Sequence, residues 1–194
     1  MFPDALQYLK KLSGPGQAQL RRSDRQKSGM SDHRVVVGLI TNSDDRVTDV
    51  LSSFGVTVKP LRHGEDARNY HPTNETSDID FAIMSYDVGI EKPGVTMFEA
   101  ATDMLTSMLT AEGDRDVDLK YWRSIYVGDD LEKDGFGAAD AGWDAIVVDR
   151  DRKLDDQLST TGGAHGDEVP HINRSGGVVT VVRNFDDVWR LTHG

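Results

Sequence analysis

Residues 125–134 read IYVGDDLEKD, a short apolar segment followed directly by a cluster of acidic side chains. Three further segments have the same form: VVVGLITNSD (35–44), DFAIMSYDVGIEKP (80–93) and DAIVVDRD (144–151). Continuous apolar runs of this kind are typical of strands that are covered on both faces, as in a parallel sheet. In such sheets ligands bind beyond the carboxyl ends of the strands. The polar residues that follow the four runs are therefore expected to gather at one edge of a sheet.

Segments with helical periodicity alternate with these strands. Pro3 begins a predicted amphipathic helix that stops before Gly14, Pro93 opens a helix whose methionines are expected to pack in the core, and Asn184 caps a last helix. Strands are predicted at 35–40, 81–85, 125–127, 145–148 and 178–182, and polar loops or insertions at 14–34, 62–77 and 150–177. Because parallel neighbours need a covering crossover, the pattern predicts a single α/β domain with a mainly parallel sheet and flanking helices.

The composition restricts the kinds of partner and compartment. The 194 residues carry a net charge of −11, which disfavours nucleic acid and anionic membranes as partners and favours a small molecule. There is no cysteine, so disulfides and thiolate chemistry are excluded. No apolar run reaches the roughly 18 to 20 residues of a membrane span, and the first residues lack the order of a signal peptide. We expect the protein in the cytoplasm or the nucleus.

Six polar residues at the predicted strand ends are the candidates for a binding site. They are Thr41, Asn42, Lys92, Asp129, Asp130 and Asp134. A hydroxyl, an amide and an ammonium suit a phosphate group, and packed carboxylates that would otherwise repel one another suit Mg²⁺. Each cluster also has an ordinary structural interpretation, since Thr and Asn are good helix caps and a lysine before a proline turn is commonly solvated. The three clusters together are more specific than any one alone.

Four segments resemble, in order, the conserved parts of one enzyme superfamily. They are FPDALQYLKKL (2–12), GLITNSDDR (38–46), EKPGVTMFEAA (91–101) and IYVGDDLEKDGFGAADAGW (125–143). They resemble the helix after the cap domain and the second, third and fourth motifs of the haloacid dehalogenase (HAD) superfamily. More narrowly, they are similar to the group called haloacid dehalogenase-like hydrolase domain-containing protein 3. The resemblance runs from Phe2 to about Asp149, and it implies a Rossmann-like core.

The resemblance also implies roles for the candidate residues. Thr41 and Asn42 would bind phosphate, and Lys92 would steady the phosphate and the nucleophile, so Lys92 and Thr41 are the catalytic candidates. Asp129 would bind Mg²⁺ with support from Asp134, and the adjacent Asp130 joins them as a metal candidate. One departure is mild, since Gly94 stands where relatives often carry Asp. The implied substrate is a small phosphorylated metabolite.

The other departure concerns the first motif, a strand ending in Asp-x-Asp, in which the family's nucleophile stands. Residues 1–34 contain no such strand, Asp78-Ile79-Asp80 precedes a strand instead of following one, and Asp149-Arg150-Asp151 is interpreted as a plain strand end. In the family the first strand is central, between the strands that carry Thr41 and Asp129. We therefore expect an incomplete core with open sheet edges, which would pair with a missing upstream segment or cause self-association.

Two functional hypotheses follow. In the first, the chain is the carboxyl-terminal part of a magnesium-dependent phosphomonoester hydrolase that works through a phosphoaspartate formed outside this chain. In the second, it is a non-catalytic phosphate-binding or interaction module, that is, a pseudoenzyme.

Overall fold

The structure is a computed structural model, and it describes residues 2–13, 34–69, 77–113, 118–158, 170–174 and 177–193. The predicted loop at 14–34 lies almost wholly outside these residues. By their contacts the residues form two compact units, the first made of residues 1–89 and 100–115 and the second of residues 90–99 and 116–194.

The first unit is built around two parallel strands. It contains helix α1 (Pro3–Ser13), strand β1 (Gly38–Thr41), helix α2 (Arg46–Ser53), a 3₁₀ turn (Ala67–Asn69), strand β2 (Phe81–Met84) and the short helix α3 (Ser85–Val88). β1 pairs with β2 in parallel, with Thr41 beside Met84. All four residues of β2 are buried, as a continuous apolar run predicts.

The second unit contains a four-stranded sheet in the order β3-β4-β6-β5. Its elements are a 3₁₀ turn (Leu119–Tyr121), β3 (Ile125–Gly128), a π-helical segment (Leu131–Phe136), helix α5 (Gly137–Asp140), β4 (Asp144–Val148), helix α6 (Asp155–Leu158), β5 (His171–Arg174), β6 (Gly177–Val182) and helix α7 (Phe185–His193). β3, β4 and β6 are parallel, and β5 is antiparallel to β6. The remaining helix, α4 (Thr96–Ala111), has its first residues in this unit and the rest in the first unit.

The predicted α/β class is confirmed, and each predicted strand has its counterpart in the structure. The interpretation of residues 150–177 as loop was wrong in two places, since α6 and β5 lie there. β5 is a four-residue strand that pairs antiparallel with β6, and its sequence HINR has too few apolar residues to be recognised. The helix predicted to open at Pro93 begins at Thr96, but Met97, Met104 and Met108 are buried as expected.

In the described residues, strands β1 and β3 each have one strand as a neighbour. Within the described residues β1 pairs only with β2, and β3 pairs only with β4, at the end of its sheet. No helix among the described residues has both the length and the apolar character that a membrane crossing requires.

Candidate active site

A buried ammonium–carboxylate pair lies beyond the carboxyl end of β3 in the second unit. Lys92 Nζ is 2.6 Å from Asp134 Oδ1, and their side chains are only 10% and 6% exposed. The same Nζ donates a hydrogen bond to the Tyr126 hydroxyl at 2.7 Å. Removal of two opposite charges from water is costly unless each is paired and hydrogen-bonded, and both conditions are met here.

The other oxygen of Asp134 holds the turn that follows β3. Asp134 Oδ2 accepts hydrogen bonds from the backbone amides of Asp129 and Asp130 at 3.0 and 3.1 Å. The approach is close because residue 128 is glycine, since a Cβ there would lie 2.3 Å from Asp134 Oδ2. The carboxylate of Asp134 thus connects Lys92 to the turn formed by Asp129 and Asp130.

Tyr126 completes a triangle with Lys92 and Asp134. Its hydroxyl lies 3.3 Å from Asp134 Oδ1. An ammonium can only donate, so the hydroxyl accepts from Lys92 and its own proton is directed to the carboxylate. Burial raises the pKa of Tyr126, and the negative charges of Asp134 and Asp129 raise it further, so the phenol stays protonated.

The three carboxylates predicted as metal ligands differ in their surroundings. Both oxygens of Asp134 are engaged as described, and Asp130 Oδ1 caps the π-helical segment by accepting from the amides of Glu132 and Lys133 at 3.0 and 2.9 Å. The Asp129 side chain is exposed, and its carboxylate receives no hydrogen bond from the described residues. Asp129 is therefore suited to coordinate a cation directly, and Asp134 to support it.

The described residues fit only part of a magnesium site. Mg²⁺ takes oxygen ligands in near-octahedral geometry and keeps several waters. Among the residues that the structure describes, no group of three His, Asp or Glu side chains is arranged to hold a metal ion. Asp129 can supply one protein ligand, and the other ligands would have to come from elsewhere.

Thr41 and Asn42 lie in the first unit. Thr41 is the last residue of β1 and Asn42 follows it, so both lie at the carboxyl end of that strand as predicted. Lys92, Asp129, Asp130 and Asp134 belong to the second unit. The structure thus brings four of the six candidates together, and a site that also includes Thr41 and Asn42 stays a prediction.

The two Asp-x-Asp sequences noted above are engaged in structural bonds. Asp78 is buried and accepts from Lys10, Ser13, and both the amide and the hydroxyl of Thr57. Asp149, also buried, accepts from the amides of Lys153 and Leu154 and from Arg183. Neither carboxylate is presented to a substrate as a nucleophile would be.

Tyr126 is the site residue that sequence analysis missed. Residues two apart in a strand face the same side of a sheet, so Tyr126 shares its face with Gly128, the residue against which Asp134 packs. A hydroxyl-bearing residue two positions before the glycine was the available signal. It was hidden because Tyr is also a common strand residue.

Comparisons with known proteins find a family model, two relatives and a solved structure that are similar to this chain. A family model described as HAD-hydrolase-like matches residues 89–172, the part that contains Lys92, Asp129 and Asp134. An uncharacterised hydrolase of Schizosaccharomyces pombe is 27% identical over 123 residues, 63% of this chain and 43% of that protein. An uncharacterised protein of Saccharomyces cerevisiae is 25% identical over 156 residues, 79% of this chain and 40% of that protein.

A solved structure has the same fold. The crystal structure of a HAD phosphatase from Thermococcus onnurineus matches with a TM-score of 0.55 at 16% identity, covering 100% of this chain and 59% of that one. The architecture is therefore a Rossmann-like α/β core. The family-model match over residues 89–172 shows that this part of the chain is similar to HAD-like hydrolases. The chain spans 40% to 43% of the length of the two curated relatives.

Proposed function

We propose that this chain is the carboxyl-terminal core of a magnesium-dependent phosphomonoester hydrolase whose nucleophilic aspartate lies outside the 194 residues. The observation that carries the proposal is the buried Lys92–Asp134 pair beside the exposed Asp129 carboxylate. It provides one positive group for a phosphate, held in place by Asp134 and Tyr126, and one exposed negative group for a cation.

The reaction follows from the family resemblance. A carboxylate oxygen of the external aspartate attacks phosphorus, the ester P–O bond breaks, and the leaving alcohol takes a proton from the second aspartate of the Asp-x-Asp pair. Water then releases phosphate from the phosphoaspartate. Lys92 would hold the phosphoryl oxygens and Thr41 would donate a hydroxyl to them, while Mg²⁺, bound by Asp129, would neutralise their charge.

The internal aspartates support an external nucleophile. Asp78 and Asp149 are buried and hydrogen-bonded by several donors each, so neither is available for attack. β1 and β3 each lie at the end of their sheet, where an additional strand could pair.

Turnover of p-nitrophenyl phosphate with Mg²⁺ tests the proposal. The 194-residue chain is expected to show none, and a longer form carrying an upstream Asp-x-Asp strand is expected to be active. In that longer form Asp129→Ala and Lys92→Ala should abolish activity. The matched controls are Asp144→Ala and Lys133→Ala. Asp144 is an exposed carboxylate at the amino end of β4 and Lys133 is an exposed lysine, so neither substitution should change turnover.

Two results would contradict the hydrolase. A longer form that binds inorganic phosphate without turnover would favour the non-catalytic module. Turnover by the 194-residue chain that survives Asp129→Ala would require a different mechanism.

A thermal measurement tests the missing strand. Addition of the upstream segment should raise the melting temperature and sharpen the transition, because the segment would pair with end strands and cover apolar surface. A short chain that is monomeric, unfolds cooperatively and gains nothing from the segment would favour a self-sufficient, non-catalytic domain.

A further inference from the structure

Tyr126 has an aromatic packing partner for its ring as well as polar partners for its hydroxyl. Its ring packs edge-on against the fully buried Phe98, with centroids 5.2 Å apart and planes at 83°, and Phe98 packs in the same manner against Trp143. This contact restricts the tilt of the ring. The Lys92 ammonium donates a hydrogen bond to the hydroxyl at the end of this ring.

Lysine is a flexible ligand for a phosphate. Its side chain loses up to about 2 kcal/mol of conformational entropy when it is fixed in one position. One bond, to Asp134, limits the distance of the ammonium from the carboxylate but leaves its direction variable. A second bond, to a hydroxyl on a different element, fixes the direction as well, because Tyr126 is on β3 whereas Asp134 is in the π-helical segment.

The lysine also lies close to the tyrosine ring. Lys92 Nζ is 5.1 Å from the ring centroid, within the range of a cation–π contact. Removal of the hydroxyl alone would retain this contact and the packing of the ring against Phe98. The effect of the hydroxyl can thus be separated from that of the ring.

We propose that Tyr126 is a positioning residue, whose hydroxyl holds the Lys92 ammonium in the orientation that receives a phosphoryl group. The catalytic consequence rests on the proposed function, but the positioning itself does not. Tyr126 acts through Lys92 and is not assigned a contact with substrate.

The test is Tyr126→Phe in the ¹⁵N-labelled 194-residue protein, with Lys92→Arg to assign the Lys92 ammonium signal. In the wild type we expect the Lys92 ammonium to have a high NMR order parameter and its protons to exchange slowly with water. In Tyr126→Phe its exchange should become at least about tenfold faster, the change that follows from loss of one charge-assisted hydrogen bond. The order parameter of the Lys92 ammonium should fall toward that of the exposed Lys133 ammonium.

Tyr121→Phe is the matched control. Tyr121 also has a lysine ammonium beside its ring, since Lys120 Nζ lies 4.8 Å from the centroid, but its side chain is exposed. This variant should leave the Lys92 signal unchanged. An unchanged Lys92 signal in a folded Tyr126→Phe protein would overturn the proposal.

The wild type provides a second measurement in case Tyr126→Phe does not fold. A slowly exchanging Tyr126 hydroxyl proton should show cross peaks to the Lys92 ammonium protons. A rapidly exchanging hydroxyl without them would refute the contact.

In an active longer form, Tyr126→Phe should lower kcat about tenfold with little change in KM, and Tyr121→Phe should change neither. In a second outcome, Tyr126→Phe would speed the exchange of the Lys92 ammonium protons and leave kcat unchanged. That result would overturn the role of Lys92 in the proposed function, but it would support the positioning of Lys92 by Tyr126.

Discussion

Asp134 packs directly over the α-carbon of Gly128, so closely that a Cβ at residue 128 would lie 2.3 Å from Oδ2, 2.4 Å from Cγ and 2.5 Å from Cβ of Asp134. The carboxylate that pairs with Lys92 can therefore reach the turn after β3 only because residue 128 has no side chain. The glycine is required by close approach, since its backbone does not have the positive φ that marks several other glycines of this chain.

The first prediction concerns this contact. Gly128→Ala should displace Asp134, because the new methyl group would occupy the space that the Asp134 side chain fills. We expect the free energy of unfolding to fall by about 1–3 kcal/mol. The NMR order parameter of the Lys92 ammonium should fall as well, because Asp134 no longer holds the ammonium in the same position. Urea unfolding gives the change in stability.

Gly142→Ala is the control for that substitution. Gly142 has φ of 78° with open space around its Cβ position, so alanine there strains the backbone without touching the site. It should lower stability by about 1 kcal/mol and leave the Lys92 signal unchanged. If Gly128→Ala behaved in the same way as Gly142→Ala, the packing of Asp134 on Gly128 would have no role in the site.

The strands and the acidic turn were predictable from the sequence because both depend on local pattern. A continuous apolar run such as FAIM predicts a buried strand, and Asn184 accepts from the Asp187 amide at 3.0 Å as its position at the start of α7 predicts. Asp78 and Asp149, which the sequence analysis does not assign as nucleophiles, both accept several structural hydrogen bonds.

Features that depend on long-range pairing were not predictable. Strand β5 is polar and is stabilised by its partner β6, so its own residues carry little signal. The bond from Lys92 to Tyr126 joins residues 34 positions apart, and no local pattern indicates it. The role of Asp130 as a helix cap was hidden because an acidic residue in a cluster suits a metal ligand equally well.

The second prediction compares a buried ion pair with an exposed one. Asp134→Asn should lower the free energy of unfolding by about 3–5 kcal/mol, because it leaves the Lys92 ammonium buried without its counter-charge. Asp151→Asn removes the partner of Lys153 in a pair whose side chains are both exposed, and should change stability by less than about 1 kcal/mol. Chemical unfolding of both variants at pH 7 is the measurement. Equal effects would contradict the burial of the pair.

The third prediction concerns the loop after β4. Arg183 donates to Asp149 Oδ2 at 2.7 Å and also bonds to Asp155, so it joins the end of β6 to the start of α6. Arg183→Met should lower the free energy of unfolding by about 3 kcal/mol, because the buried Asp149 loses its charged partner. Proteolysis within the loop should become faster.

Arg123→Met is its control, since Arg123 pairs with Asp144 at 2.6 Å but both side chains are well exposed. This variant should cost less than about 1 kcal/mol. A loss in Arg183→Met no greater than in Arg123→Met would mean that Asp149 is satisfied by the loop amides alone.

The last prediction is the response of the first unit to acid, which depends on Asp78. Burial of this carboxylate raises its pKa, but hydrogen bonds from Lys10, from the amide and hydroxyl of Thr57, and from Ser13 outweigh burial, and the pKa is lowered overall. The protonated form therefore binds these donors less well than the ionised form. The stability that Asp78 contributes is fully present above the unfolded-state pKa of about 3.9 and is lost as the pH falls through the lower pKa of the folded state.

Asp78→Asn isolates this contribution, because the amide oxygen can take the place of Oδ2, which accepts from Thr57 and Lys10, while its NH₂ group faces the Ser13 hydroxyl. At pH 7 the variant should be less stable by about 1–3 kcal/mol. The difference from the wild type should shrink between pH 4 and pH 2, since the wild-type carboxyl becomes neutral there and Asn is neutral throughout. Urea unfolding at a series of pH values measures the difference. The exposed Asp186→Asn should leave the pH profile of the wild type unchanged, and a constant difference between Asp78→Asn and wild type over that pH range would show that the charge of Asp78 does not stabilise the fold.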